Sequence, residues 1–133
     1  MAQLVLCTYV RTYGRRKPGA PENQQQEMYM ADRCLLHPHI VQVWDAFWSA
    51  PRPKREISIV YELMGSSLSG LLDDRPPTVP QVRTTTLHVC SALSFLHEMG
   101  FIHTDVKPPN ILVNDINGRW YVKLGDLGCC VEA

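Results

Sequence analysis

A chain of 133 residues is the length of one domain, and 45% apolar with 20% charged residues is the composition of a globular protein, not of a disordered tract. Thirteen Lys and Arg balance thirteen Asp and Glu, so no overall field draws the chain to nucleic acid or to an anionic membrane. Five cysteines without a C-x-x-C spacing fit packing roles in a reducing compartment, and no apolar run approaches the length that spans a bilayer.

The elements are predicted in chain order. Leu4 to Tyr13, rich in Val, Leu and Tyr, reads as a strand, with neither the basic flank nor the cleavage site of a signal peptide. The basic cluster Arg11 to Gly19 lies among Gly and Pro and reads as a solvated loop rather than a phosphate-backbone site. Gln24 to Leu36 has no Gly or Pro and sets Met28, Ala31, Leu35 and Leu36 near one helical face. "HPHI" ends that helix, because a residue before proline avoids the helical region. His37 and His39 read as a turn and strand start, since further metal ligands are not near them in sequence. "IVQVWDAFW" and "EISIVYELM" form a hairpin-like pair joined by the Pro-rich "SAPRPKR", and Trp44, Phe47 and Trp48 fit strand packing better than a base-stacking platform.

Gly65 to Gly70 reads as a linker, followed by a short helix at about Ser69 to Asp74. The clearest helix opens with Thr78 as N-cap and Gln81 as its capping-box partner. It carries an apolar stripe at Val82, Thr86, Val89, Leu93 and Leu96 and stops at Gly100. After "FIHTDVKPPN" come the strand "ILV", a turn at Asn117-Gly118, the strand "WYVKL" and the closing "GDLGCCVEA".

The chemistry concentrates in "HTDVKPPNILV", His103 to Val113. Pro108 and Pro109 stiffen a loop that holds Asp105, Lys107 and Asn110 between a helix and a core strand. The Asn-Gly hairpin then returns a second carboxylate, Asp126, flanked by Gly125 and Gly128. Two carboxylates and an amide brought to one place suit a hard cation such as magnesium. A remaining carboxylate can take a hydroxyl proton, and a lysine can neutralise a transferring phosphoryl group.

H-x-D-x-K-x-x-N followed by D-x-G after a strand resembles the catalytic and metal loops of protein kinases, and the likeness covers about residues 24 to 133. It includes "LLHPHIVQVWDAF", similar to the end of the regulatory helix and the next strand, and "ISIVYELM", similar to the strand entering the hinge. The resemblance implies an α+β, partial bilobal protein-kinase-like fold: residues 1–64 a partial small lobe with regulatory helix, and residues 65–133 the start of the helical large lobe. It implies ATP and Mg2+ as cofactors and a protein hydroxyl as acceptor. Asp105 would be the base, Lys107 would contact the phosphoryl group, and Asn110 and Asp126 would hold magnesium. Tyr61 would be the gatekeeper, Glu62 and Met64 would present hinge backbone to adenine, and Leu112 would pack against its ring. His103 would be structural, beneath the loop.

Thr104 stands where kinases usually carry an arginine that binds an activation-loop phosphate. "HTD", "YELMGSSLSGLL" and "DLG" make the chain most similar to the SR-protein and LAMMER-type serine/threonine kinases, which implies an Arg-Ser-rich protein substrate and a cytoplasmic or nuclear location; Pro109 departs from that pattern. No G-x-G-x-x-G loop is present, and Cys7 or Thr8 stands where the strand lysine is expected. Glu27 is its candidate helix partner, one position out of register, with Met28 the alternative. The chain stops five residues after Gly128, short of an activation segment and A-P-E anchor, so it reads as part of a kinase domain, marginally stable and impaired in transfer. The alternative is a pseudokinase or protein-interaction module.

Overall fold

The computed structural model describes residues 8–13, 30, 37–48 and 57–133. Three strands, β1 (Thr8–Tyr13), β2 (Val43–Trp48) and β3 (Ile57–Glu62), form an antiparallel sheet in the order β1-β3-β2. β3 is the central strand, paired on both edges, and its successive residues Ser58 and Ile59 are both buried. The expected hairpin of β2 with β3 is present, broken by a register shift between Val43 and Asp45. The helix expected over Gln24 to Leu36 falls, apart from the helical and fully buried Met30, outside the described residues, as do Cys7, Glu27 and Met28.

The second half begins with β4 (Ser66–Ser67), which pairs with β6 (Ile111–Ile116), itself paired with β7 (Arg119–Leu124). Gly65 to Gly70 is therefore no linker. Ser66 and Ser67 pair with Val113 and Leu112, and the Ser67 hydroxyl accepts from Gly70 N–H at 3.2 Å, capping helix α1 (Leu68–Asp74). Helix α2 (Val79–Glu98) opens as expected: Gln81 Oε1 accepts from Thr78 N–H at 2.8 Å, and Pro80 sits in the first turn, where no N–H is needed.

The buried face of α2 is rotated from the expected stripe. Gln81, Val89, Ala92 and Leu96 are buried, whereas Val82 is 49% exposed and Thr86 faces solvent. The rotation follows from tertiary packing: α2 lies against β7, and Val89, Ala92 and Leu96 join Val122, Leu124 and Trp120 in the main core. The β6–β7 hairpin turns at Asn117-Gly118, both with positive φ (55° and 83°), and Gly118 N–H donates to Asp115 Oδ1 at 2.7 Å. Two short strands, β5 (Phe101–Ile102) and β8 (Val131–Glu132), pair antiparallel behind the loop.

Residues 39–41 run along the open flank of β7. Leu124 N–H donates to His39 O at 2.8 Å, Val41 N–H donates to Leu124 O at 2.9 Å, and Ile40 bridges Leu124 in parallel. This strip joins the main core to a smaller one formed by Val41, Ile59, Tyr61 and Met64. Among the described residues no helix is long and apolar enough to cross a membrane.

Candidate functional site

The loop between β5 and β6 is fixed by its own polar groups. His103, 1% exposed, bonds Gly125 O through Nε2 at 3.1 Å and accepts from Asp105 N–H at Nδ1, 3.3 Å away. One imidazole thus fastens the Asp105 loop to the residue before Asp126. Pro108 and Pro109 start a single 3₁₀ turn, Pro108–Asn110, in which Asn110 N–H donates to Lys107 O at 2.9 Å. Gly125 N–H donates to Asn110 O at 2.8 Å, so the hairpin brings Asp126 in beside Asn110. A Cβ at Gly125 would meet Val41 Cγ2 at 3.3 Å and Asn110 O at 3.6 Å, a close approach that suits glycine.

Asp105 is the hub. Its Oδ2 lies 2.7 Å from Lys107 Nζ and accepts from Asn110 Nδ2 at 2.9 Å, and Asn110 Nδ2 also donates to the Asp105 backbone carbonyl at 2.9 Å. The Lys107 hydrogen bond holds the Asp105 carboxyl below the usual carboxylate range, with the Asn110 amide acting in the same direction. The same contact raises the Lys107 ammonium above its ordinary value. At neutral pH the pair is an anion beside a cation, each partly exposed to solvent. Because both side-chain bonds of Asn110 use its Nδ2, Oδ1 is the acceptor that remains on this buried residue.

A cleft of about 290 Å³ opens beside this loop. Tyr61, Glu62, Met64, Leu112, Asn110 and Asp126 all line it, together with Val41, Gly125 and Pro109. Six of the eight residues singled out in the sequence therefore share one cavity, and the other two, Asp105 and Lys107, join it through Asn110. Its lining is apolar at Val41, Leu112 and Met64 and polar at Asn110 and Asp126.

Three features were not legible in the sequence motifs. Glu62 turns its carboxylate to a part-buried ion pair with Lys123 Nζ at 2.5 Å, and Oε1 also accepts from Gln42 N–H at 2.7 Å. Its own N–H is committed to Gln42 O at 3.0 Å, so that amide is not available to a ligand in the cleft. Thr104 adopts φ 64° and donates its hydroxyl to Cys129 O at 2.6 Å. Asp126 adopts φ 59°, a left-handed backbone rare outside glycine.

The family described as "Protein kinase domain" matches residues 7–133. Among curated proteins, mitogen-activated protein kinase HOG1 of Wallemia muriae is 37% identical over 81 residues, covering 61% of this chain and 28% of that protein. A probable serine/threonine-protein kinase of Corynebacterium efficiens is 38% identical over 99 residues, covering 71% and 14% respectively. The MAP kinase-interacting serine/threonine-protein kinase mnk-1 of Caenorhabditis elegans is 36% identical over 104 residues, covering 77% and 14%. The chain thus spans 14 to 28% of the length of these relatives, which are not of the SR-protein or LAMMER branch. The crystal structure of the yeast RNA Pol II CTD kinase CTDK-1 complex superposes with a TM-score of 0.76 at 20% identity, covering 95% of this chain and 40% of that one, a likeness of fold.

Proposed function

The chain belongs to the protein kinase family, and from that premise we propose that its cleft receives the nucleotide of a serine/threonine phosphoryl transfer. Residues 1–64 are read as part of the small lobe and 65–133 as part of the large lobe. The observation that carries the proposal is the shared cavity, lined both by apolar side chains for a base and by two oxygen donors. Leu112 and Met64 would flank the adenine, Tyr61 would close the back, and Glu62, with its N–H already committed, would contribute a carbonyl at most. Asn110 Oδ1 and the Asp126 carboxylate are hard oxygen donors of the kind magnesium takes, and they would hold it. When bound, magnesium supplies charge neutralisation to the phosphates. Asp105, kept anionic by Lys107, would orient an incoming hydroxyl and receive its proton. Lys107, kept protonated by Asp105, would balance charge on the group being passed.

For the branch, the proposal is the SR-protein and LAMMER type, supported by Thr104: its hydroxyl holds the segment after Asp126 directly, where an arginine would need a phosphate. Preference for an Arg-Ser-rich peptide over one without arginine supports this assignment, and equal use of both removes it. A second reading, a pseudokinase or interaction module, is favoured by β1, Thr8–Tyr13, which contains no lysine. Transfer by these 133 residues alone is accordingly expected to be impaired.

Calorimetric titration with ATP tests the nucleotide reading. Binding is expected to be saturable and magnesium-dependent, weakened at least about tenfold by Asp126→Ala and unchanged by Asp105→Asn. Absence of binding, or binding indifferent to magnesium and to Asp126, overturns it.

A further inference from the structure

Three histidines, His37 and His39 from one short strip and His88 from α2, meet on the flank of β7. His39 and His88 stack with centroids 3.7 Å apart and planes at 16°; His37 sits edge-on to His39 at 5.9 Å and stacks on Phe95 at 4.8 Å. Their hydrogen bonds fix their protonation. His39 Nδ1 lies 3.0 Å from Val122 O and so carries a proton that it donates. His88 Nδ1 accepts from Val122 N–H at 3.2 Å and so carries none. His37 Nδ1 accepts from His39 N–H at 3.2 Å, while its Nε2 meets Ser91 Oγ at 3.3 Å. The backbone N–H and C=O of Val122 are thus read by two stacked rings, one from the strip 37–41 and one from α2.

We propose that this three-imidazole cluster is a proton-sensitive latch that holds the strip 37–41 on β7 when neutral and releases it when protonated. A proton on Nδ1 of His88 turns the acceptor for Val122 N–H into a second donor facing it, and a proton on Nδ1 of His37 does the same to His39 N–H. Added charge on either ring also lands within 6 Å of the His39 ring. The groups around the cluster offer little to balance it. α2 contributes Ser91 and Phe95, and β7 contributes Tyr121, whose hydroxyl donates to Pro38 O at 2.8 Å. Lys123, also on β7, is a cation already paired with Glu62. Burial, then the charge of His39, lower the proton affinity of both His37 and His88. With the folded value below the ordinary 6.5, the unfolded chain takes protons first as pH falls. The latch is therefore closed above about pH 6.5 and weakens as pH falls from there towards the depressed values. Among the described residues no group of three His, Cys, Asp or Glu is disposed to hold a metal, which sets this cluster apart from a metal site.

The test is amide hydrogen exchange at Val41 and Leu124, whose N–H groups fasten the strip, alongside NMR titration of the imidazoles in the 133-residue chain. Between pH 7.5 and 5.5, protection corrected for intrinsic rate is expected to fall progressively in the unmodified chain. The double variant His37→Asn, His88→Asn keeps an acceptor near each Nδ1 and cannot titrate, so its protection is expected to stay level. Protection in the unmodified chain that is constant over this range overturns the proposal, whether or not the double variant folds. So does an imidazole spectrum showing His88 protonated at Nδ1 at pH 7.5.

Discussion

Asp105 and Lys107 define each other's charge, and each can be checked through its partner. Because the Asp105 value is depressed, the carboxylate stays ionised as pH falls through the ordinary range near 4, and the ion pair is lost only below that. The 13C signal of its carboxyl is expected to stay flat from pH 7 to about pH 4. In Asp105→Asn the raised titration of Lys107 is expected to move down towards its ordinary value, read from its side-chain 13C shifts. The residue types of this hub and their spacing were open to inspection in the sequence. The left-handed backbone of Thr104 and its bond to Cys129, 25 residues on, were not, because no local pattern records which carbonyl a threonine will meet.

At the scale of elements, α2 separates what local chemistry dictates from what packing dictates. Leu96 is fully buried against β7, so Leu96→Ala is expected to cost about 2–5 kcal/mol in urea unfolding. Val82→Thr, on the same expected stripe but half exposed, is expected to change stability by less than about 0.5 kcal/mol. Equal effects would mean the helix is turned the other way. The cap at Thr78 and the turn at Asn117-Gly118 were legible because both are contained within a few residues. The face of α2 was not, because β7, which begins 21 residues beyond its end, sets it. The same holds for Ser66 and Ser67: their pairing with β6 lies some 46 residues away and leaves no mark on "MGSSLSG". The β1–β3 pairing is likewise non-local, joining Thr8 to Glu62.

Across the whole molecule, Glu62, Lys123 and Gln42 join β3, β7 and the strip before β2 in one part-buried knot. Lys123→Ala leaves the part-buried Glu62 carboxylate with the Gln42 N–H but without its cation, and is expected to cost about 1–3 kcal/mol in chemical denaturation. Adding Glu62→Gln removes the stranded charge and is expected to recover at least about 1 kcal/mol, the coupling a double-mutant cycle would report. The strip 39–41 has a further consequence. β7 is the last strand of its sheet, and its six residues, Arg-Trp-Tyr-Val-Lys-Leu, are mostly β-formers. What lies along it is a short stretch held by two backbone bonds, by the Tyr121 hydroxyl on Pro38 O and by the His39 imidazole on Val122 O. Lifted away, that stretch would bare an unpaired edge onto which another copy could add a strand, so the histidines stand guard against self-association as much as they shape the fold.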